Sequence, residues 1–251
     1  MPPPGSQPKF LEPLLGIVFD LDGTLVLSNH DFGRMRSEVI RIAEHYGVTP
    51  GHLSVQDPIH RIVEAAREEM RNASAADGVL YRFEADYQKA IDTIELEALP
   101  RTVARPGALD LLKALAERGF RIGLLTRSSE TFARQALVQT QLAPFFSYLR
   151  SRSAAGPAKP SPEALLMLLR DMGVPIDRAL YVGDHLLDAE CARRARVRFY
   201  AVMPDPTEAA ATHSAMSEDR FLAAGASAIA KDLPELARHL TIAAPPPLVG
   251  Q

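Results

Sequence analysis

Asp20 and Asp22 are the first residues along the chain whose types and spacing could do chemistry. They follow an apolar run, residues 14–19, and ligands of open α/β sheets gather where strands end. In an extended chain the two carboxylates would share one side, and their repulsion would raise one of the two pKa values. A divalent cation relieves that repulsion, and carboxylate oxygens suit Mg²⁺. The other carboxyl group can then carry a proton for acid–base work.

The motif Asp20-x-Asp22-Gly23-Thr24 also fits a simple acidic turn after a strand or a metal-binding loop, so residues further along the chain decide the interpretation. Thr126 ends a second apolar run, residues 122–125, and a hydroxyl with backbone N–H groups at a strand end can hold phosphate oxygens. Lys159 precedes a proline in a predicted loop, where its ammonium could neutralise charge that develops on a phosphoryl group. Both would suit phosphate binding, although a Lys-Pro in a loop is by itself more typical of a solvated lysine.

A second acidic pair follows a third apolar run, residues 179–182. Asp184 comes just after that run, and Asp188 stands four residues later, on the same face if a helix begins at once. The pair is a candidate metal site. The alternative is a helix cap followed by an acid in the first helical turn.

These apolar runs, with a fourth at residues 199–202, have the length and composition of strands that are covered on both faces. Amphipathic stretches separate them, among them residues 106–118 and a stretch from Ser161 to residue 169. In the latter a serine cap and a first-turn proline predict the start of a helix. Strands that alternate with helices predict an α/β fold with a doubly wound, Rossmann-like parallel sheet.

Residues 29–103 follow a different pattern and predict an inserted helical cap domain. Apolar residues recur there at spacings of three and four in three successive stretches, which predicts three amphipathic helices. The predicted core therefore comprises residues 14–28 and 104–240. The proline-rich termini, residues 1–13 and 241–251, are predicted to be disordered.

The composition is that of an ordinary globular protein, with 47% apolar and 24% charged residues. A net charge of −3 gives no positive field that would attract nucleic acid or an anionic membrane. No apolar stretch has the length of a membrane span, and the N-terminus lacks the pattern of a signal peptide, so we expect a cytoplasmic protein. The single cysteine, Cys191, fits a reducing compartment. The sequence leaves open a monomer or a small homo-oligomer.

In the order and strand context of its motifs the chain resembles the haloacid dehalogenase (HAD) superfamily. The resemblance is carried by Asp20-x-Asp22-Gly23-Thr24-Leu25, Thr126, Lys159-Pro160 and Gly183-Asp184-x-x-x-Asp188. The helical insertion resembles the α-helical cap of the phosphoglycolate phosphatase-like branch. Residues 226–236 resemble the strand and helix that close the core of that branch, and residues 207–216 are interpreted as a variable connection.

This resemblance implies a Mg²⁺-dependent phosphohydrolase that works in two steps. Asp20 would attack phosphorus and form an aspartyl-phosphate, and Asp22 would protonate the leaving oxygen and later activate water. The metal would be held by the Asp20 carboxylate, the Asp22 main-chain carbonyl and Asp184, with Asp188 outside or near the coordination shell. Thr126 and Lys159 would bind the transferring group.

Two residues depart from the family pattern. Arg127 stands where many relatives have asparagine, and its charge could add to phosphate binding; His185 stands where serine is common.

Dehalogenation is disfavoured, because dehalogenases of this fold lack the second aspartate, here Asp22. A phosphomutase of the β-phosphoglucomutase type keeps the same motifs and stays open, as does a catalytically silent regulatory module.

The cap is expected to select the substrate. Residues 29–100 contain 8 Lys or Arg and 13 Asp or Glu, a net charge of −5, which disfavours a large polyanionic substrate. Arg34 or Arg36 could pair with a substrate carboxylate, although either could equally be a solvated residue of a helix. Small phosphorylated acids or sugars are the expected class, and the resemblance makes 2-phosphoglycolate the leading candidate.

Overall fold

The computed structural model describes residues 13–205 and 216–243. The predicted tails and the predicted variable connection lie almost wholly outside these residues. By its contacts the chain divides into two compact units, one comprising Met1–Ser28 and Arg101–Gln251 and the other Asn29–Pro100.

Most of the first unit is built around a parallel sheet. The described strands are β1 (Gly16–Phe19), β2 (Val26–Leu27), β3 (Val103–Ala104), β4 (Arg121–Leu125), β5 (Tyr148–Arg150), β6 (Ala179–Gly183), β7 (Arg198–Val202) and β8 (Ala228–Ala230). Six of them form one sheet in the order β5-β4-β1-β6-β7-β8, in which every neighbouring pair is parallel. β2 and β3 pair antiparallel as a separate ribbon.

The strand order reverses around β1. From β1 the chain moves outward through β4 and β5, then returns to β6 on the other side of β1 and moves outward through β7 and β8. Such a reversal is the point at which open α/β sheets bind ligands. In register, Phe19 lies opposite both Leu124 and Val182, so these three strands end at nearly the same level.

The four predicted apolar runs coincide with β1, β4, β6 and β7, whose residues are almost all buried. β5 is missing from the sequence-based prediction because this three-residue edge strand is only half-buried and ends in Arg150. The predicted doubly wound α/β core is confirmed. The helices that follow its strands bury an apolar core around Tyr181 and Phe199.

Nine helices are described. They are α1 (Phe32–His45), α2 (Ile59–Asn72), α3 (Asp77–Ala98), α4 (Ala108–Glu117), α5 (Glu130–Gln139), α6 (Pro162–Met172), α7 (Leu186–Ala195), α8 (Glu218–Ala223) and α9 (Leu233–Ala243). α9 extends three residues into the segment that was predicted to be a tail. α6 begins with Pro162, as predicted, but the hydroxyl of Ser161 donates to Glu163 and does not cap the helix.

The second unit consists of α1, α2 and α3, in the three stretches where apolar spacing predicts helices. Their apolar faces form a separate core that includes Met35, Val39, Ile62, Met70 and Phe83. Asp31 caps α1 by accepting a hydrogen bond from the Arg34 main-chain N–H at 2.8 Å.

Across residues 13–205 and 216–243, every helix is too short or too polar to span a lipid bilayer.

Candidate active site

Asp20 lies at the exit of β1, at the reversal point of the sheet. Its main-chain N–H still donates to Val182 O in β6 at 2.9 Å, so the backbone is fixed up to the position of the carboxylate. The chain then turns sharply, with Gly23 N–H donating to Val26 O at 2.8 Å and Gly23 at φ +79°. That left-handed backbone favours glycine.

The Lys159 ammonium bridges two carboxylates at the centre of the site. Its Nζ donates to Asp20 Oδ1 at 2.5 Å and to Asp188 Oδ1 at 2.8 Å. The lysine is 4% exposed, Asp20 is 7% exposed and Asp188 is 1% exposed. Buried charges need close partners, and each of these three has at least one.

Asp184 approaches the turn after β1 from β6. Thr24 Oγ1 donates to Asp184 Oδ1 at 2.7 Å, and a side chain at Gly23 would overlap the Asp184 carboxylate. Glycine at this position therefore allows both the turn and the close approach of Asp184.

Asp188 is the third residue of α7, not a continuation of a helix that contains Asp184. The helix begins at Leu186, because His185 is its cap, so the condition for both acids to share one helix face is not met, and Asp188 is an acid in the first helical turn. Asp188 Oδ2 instead accepts the His185 main-chain N–H at 3.1 Å, which forms a capping box with the His185 side chain. Asp188 Oδ1 also accepts the Tyr181 hydroxyl at 2.7 Å.

Asp20, Asp184 and Asp188 form an acidic cluster, each offering one carboxylate oxygen within 4.8 Å of the others. The single positive charge of Lys159 does not balance the negative charges of three carboxylates. Burial raises the pKa of Asp20 well above its ordinary value; Lys159 opposes this shift, and Asp188 and Asp184 add to it. Loss of solvent and the Asp188 carboxylate raise the pKa of Asp184 to about 7.

The acidic cluster therefore has the chemistry of a cation site. Burial alone lowers the pKa of Lys159, but Asp188 and Asp20 outweigh it and keep the ammonium charged. A further positive charge among the carboxylates would lower the pKa values of Asp20 and Asp184. Hard oxygen donors of this kind fit Mg²⁺.

Thr126 and Asp22 are connected through Ser128, which sequence reasoning missed. Thr126 follows β4, and its Oγ1 accepts the Ser128 main-chain N–H at 3.0 Å. The Ser128 hydroxyl donates to Asp22 Oδ2 at 2.5 Å. The only signal in the sequence is that Ser128 stands two residues after Thr126.

Two arginines contact the main chain around the site. Arg127 Nη1 donates to Lys159 O at 2.6 Å, so this contact supports the segment that carries the lysine. Arg105, another residue that the sequence did not single out, donates to Gly23 O at 2.6 Å and to Met203 O at 2.5 Å. It thereby connects the turn after β1 to the end of β7.

Comparison with known proteins identifies the family of the chain. A family model described as haloacid dehalogenase-like hydrolase matches residues 14–196, and a second HAD-like model matches residues 157–236. The chain belongs to the haloacid dehalogenase-like hydrolases. The predicted family is confirmed, and with it the predicted enzyme class, a HAD-like phosphatase.

Named relatives support that class. A phosphoglycolate phosphatase of Pseudomonas putida is 29% identical over 201 residues, covering 78% of this chain and 69% of its own. Another from Rhodospirillum rubrum is 32% identical over 194 residues, covering 72% and 76%. The crystal structure of a hydrolase from Pseudomonas syringae shares the fold, with a TM-score of 0.64, 21% identity and coverage of 92% of this chain and 100% of that one.

In this HAD-like hydrolase the predicted catalytic and metal-binding residues form two groups, each held together by its own contacts. Asp20, Lys159, Asp184 and Asp188 form one, and Asp22 and Thr126 belong to the other through Ser128. Tyr181 was missed because it stands inside an apolar strand, where its type alone predicts a core residue.

The two arginines that the sequence offers for a substrate carboxylate differ in their surroundings. Arg34 pairs with Glu97 within the helical unit, through Nη1 at 2.5 Å and Nη2 at 3.2 Å. The Nε of Arg36 is buried and has no hydrogen-bond partner among the described residues.

Proposed function

We propose that this HAD-like phosphatase hydrolyses a small phosphorylated metabolite, a 2-phosphoglycolate-like acid or a sugar phosphate, with Mg²⁺ and through an aspartyl-phosphate on Asp20. The observation that carries the proposal is the buried Asp20 carboxylate at the end of β1, bonded to the Lys159 ammonium and close to Asp184. A nucleophile, a fixed cation and a cation site thus meet at the reversal point of the sheet.

In the first step a carboxylate oxygen of Asp20 attacks phosphorus, and the bond from phosphorus to the ester oxygen breaks. Asp22 gives its proton to that oxygen, which leaves as an alcohol. In the second step a water oxygen attacks the aspartyl-phosphate, the Asp20–phosphorus bond breaks, and Asp22 takes a proton from the water. Inorganic phosphate leaves, and both aspartates return to their starting states.

Lys159 and Thr126 stabilise the group that is transferred. The ammonium keeps its charge in a nearly dry site, where electrostatic stabilisation is much stronger than in water. Thr126 Oγ1 already accepts a hydrogen bond from the Ser128 main chain, so its own hydrogen can be donated to a phosphate oxygen.

Asp20, Asp184 and the main-chain carbonyl of Asp22 are the groups that would hold Mg²⁺. When bound, the ion neutralises charge on the phosphoryl oxygens and on the nucleophile. We assign Asp188 to holding Lys159, because its carboxylate already accepts bonds from Lys159, Tyr181 and the His185 main chain.

Three observations bear on the size and the charge of the substrate. The curated relatives above are named phosphoglycolate phosphatases. Residues 29–100 carry a net charge of −5, from 8 basic and 13 acidic side chains, which repels polyanions. Arg36 has a buried Nε without a hydrogen-bond partner in the described chain and is a candidate for a substrate carboxylate, whereas Arg34 is paired with Glu97.

The nucleophile is tested by Asp20→Asn. We expect this change to abolish phosphate release from p-nitrophenyl phosphate, because an amide cannot form the aspartyl-phosphate. The matched control is Asp110→Asn, an exposed aspartate in the first turn of α4, which should keep full activity. Full activity of the Asp20 variant would disprove the assignment.

The substrate class is tested by measuring phosphate release from a panel of phosphorylated acids, sugars and nucleotides, with Mg²⁺ and with a chelator. We expect release that depends on Mg²⁺ and is fastest for small phosphorylated acids or sugars. Isomerisation of a hexose 1-phosphate without release would instead show a mutase. Turnover of no compound in the panel would contradict the proposal.

A further inference from the structure

Ser128 is a buried hydroxyl that the chemical steps above leave without a role. It lies between β4 and α5 and is 5% exposed. Its Oγ donates to Asp22 Oδ2 at 2.5 Å, across 106 positions of the sequence. A hydrogen bond from a hydroxyl to a carboxylate is short and stronger than one between neutral groups.

The main chain around Ser128 is held on both sides. Its N–H donates to Thr126 Oγ1 at 3.0 Å, and its carbonyl accepts the Arg152 N–H at 3.1 Å. Thr126 N–H in turn donates to Arg150 O in β5 at 3.0 Å. The hydroxyl is therefore presented to Asp22 by a backbone that is tied to the sheet, and little reorganisation is needed to keep it there.

We propose that Ser128 is the positioning residue for Asp22 in proton transfer, an inference that rests on the acid–base role proposed above. As Asp22 gives its proton to the leaving oxygen, negative charge develops on its carboxylate. The Ser128 O–H is already directed at Oδ2 and stabilises that charge, which makes Asp22 a better acid. The hydroxyl proton stays on Ser128 throughout, and the same bond holds the ionised Asp22 for the second step.

The neighbouring serine provides a matched control. Ser129 is 2% exposed, and its Oγ accepts the Phe132 main-chain N–H at 3.2 Å, which caps α5. Replacing either serine by alanine therefore removes one buried hydroxyl, and the two positions are adjacent in the chain. The Ser128 hydroxyl donates to Asp22 Oδ2, whereas the Ser129 oxygen caps a helix.

The test uses leaving groups of different acidity. kcat/KM is measured for the full-length enzyme with 2,4-dinitrophenyl phosphate, whose leaving group departs without a proton, and with phenyl phosphate, whose leaving group needs one. For Ser128→Ala we expect a loss of about tenfold with phenyl phosphate and of less than about twofold with the dinitrophenyl ester. Ser128→Thr keeps the hydroxyl and should restore the normal ratio, and Ser129→Ala should change both substrates alike.

An equal loss with both esters in Ser128→Ala, or no loss with either, would overturn the inference, because a merely structural role lowers both rates together. Asp22→Asn separates this failure from failure of the proposed mechanism. If Asp22→Asn slows phenyl phosphate much more than the dinitrophenyl ester and Ser128→Ala does not, only the role of Ser128 is wrong. If Asp22→Asn also affects both esters equally, Asp22 is not the acid and both proposals fall.

Discussion

Among the single residues of the site, Asp188 and Asp20 share the Lys159 ammonium but differ in their other neighbours. Asp188 also accepts bonds from the Tyr181 hydroxyl and the His185 main chain, and the lysine lies 5.8 Å above the centre of the Tyr181 ring. Tyr181 thus contacts both Asp188 and Lys159. These contacts support the proposed roles, in which Asp188 holds the lysine and Asp20 is the nucleophile.

Replacing Lys159 by methionine tests the charge at this point. We expect kcat/KM to fall by about 10²–10³-fold, equivalent to about 2.7–4 kcal/mol, because a fixed charge that stabilises the transferring group is lost. The measurement is phosphate release from p-nitrophenyl phosphate, with thermal unfolding as the check on folding.

Asp188→Asn is the comparison for that variant. It removes the anionic support but keeps the ammonium, so its loss should be clearly smaller than that of Lys159→Met. If the two variants lose activity equally, or if Lys159→Met loses less than about tenfold, the lysine does not act on the transition state.

The sequence could single out Asp20, Asp184 and Lys159 because each is a charged residue directly after an apolar run or in a predicted loop. It could not predict Ser128 as a site residue, since its contact with Asp22 depends on β4 lying next to β1. Tyr181 stands in an apolar run and is typical of a core residue by type, while its hydroxyl reaches Asp188 seven positions later. The role of Arg127 in phosphate binding stays a prediction; its resolved contact is to Lys159 O.

At the scale of elements, the turn after β1 determines how closely Asp184 can approach. Gly23 has φ +79°, and a Cβ there would overlap the Asp184 carboxylate, while Arg105 holds the Gly23 carbonyl at 2.6 Å. The turn and the end of β6 therefore fit together only when this position has no side chain.

We predict that Gly23→Ala lowers Mg²⁺-supported turnover by at least about tenfold, because Asp184 must move away from the turn, and that it lowers stability by about 1–3 kcal/mol. Turnover at several Mg²⁺ concentrations and chemical unfolding measure the two effects. A shift to higher Mg²⁺ requirement is expected.

Gly119→Ala separates backbone strain from crowding. Gly119 has φ +76°, and no described atom lies within 4 Å of a Cβ placed there. It should lose stability but keep its Mg²⁺ requirement. If Gly119→Ala changes that requirement as much as Gly23→Ala does, the effect on Asp184 is not local.

The strands and helices were predictable to different degrees for a physical reason. Central strands are apolar on both faces, so β1, β4, β6 and β7 stand out as runs, but the short edge strand β5 has no such requirement. The sequence left the start of α7 open because the side chain that caps it belongs to His185, an uncommon capping residue.

At the scale of the whole molecule, the charge of the acidic cluster affects folding as well as chemistry. Asp184 has a pKa of about 7 in the folded chain, against an ordinary value of 3.8. A raised pKa means that the folded state binds more protons than the unfolded state above pH 3.8. Ionising this group therefore costs stability, and the cost grows between about pH 3.8 and about 7 and levels off above that.

We predict that the metal-free protein is less stable at about pH 8 than at about pH 6, with Asp184 contributing on the order of 1 kcal/mol of the difference. Mg²⁺ should stabilise the protein more at the higher pH, because the ionised carboxylates bind the cation and the protonated ones do not. Chemical unfolding with a chelator and with Mg²⁺ at both pH values measures this.

Asp184→Asn is the control and should lose this part of the pH dependence and most of the Mg²⁺ effect. Equal stabilisation by Mg²⁺ at both pH values, or an unchanged Mg²⁺ effect in that variant, would contradict a cation site built on Asp184.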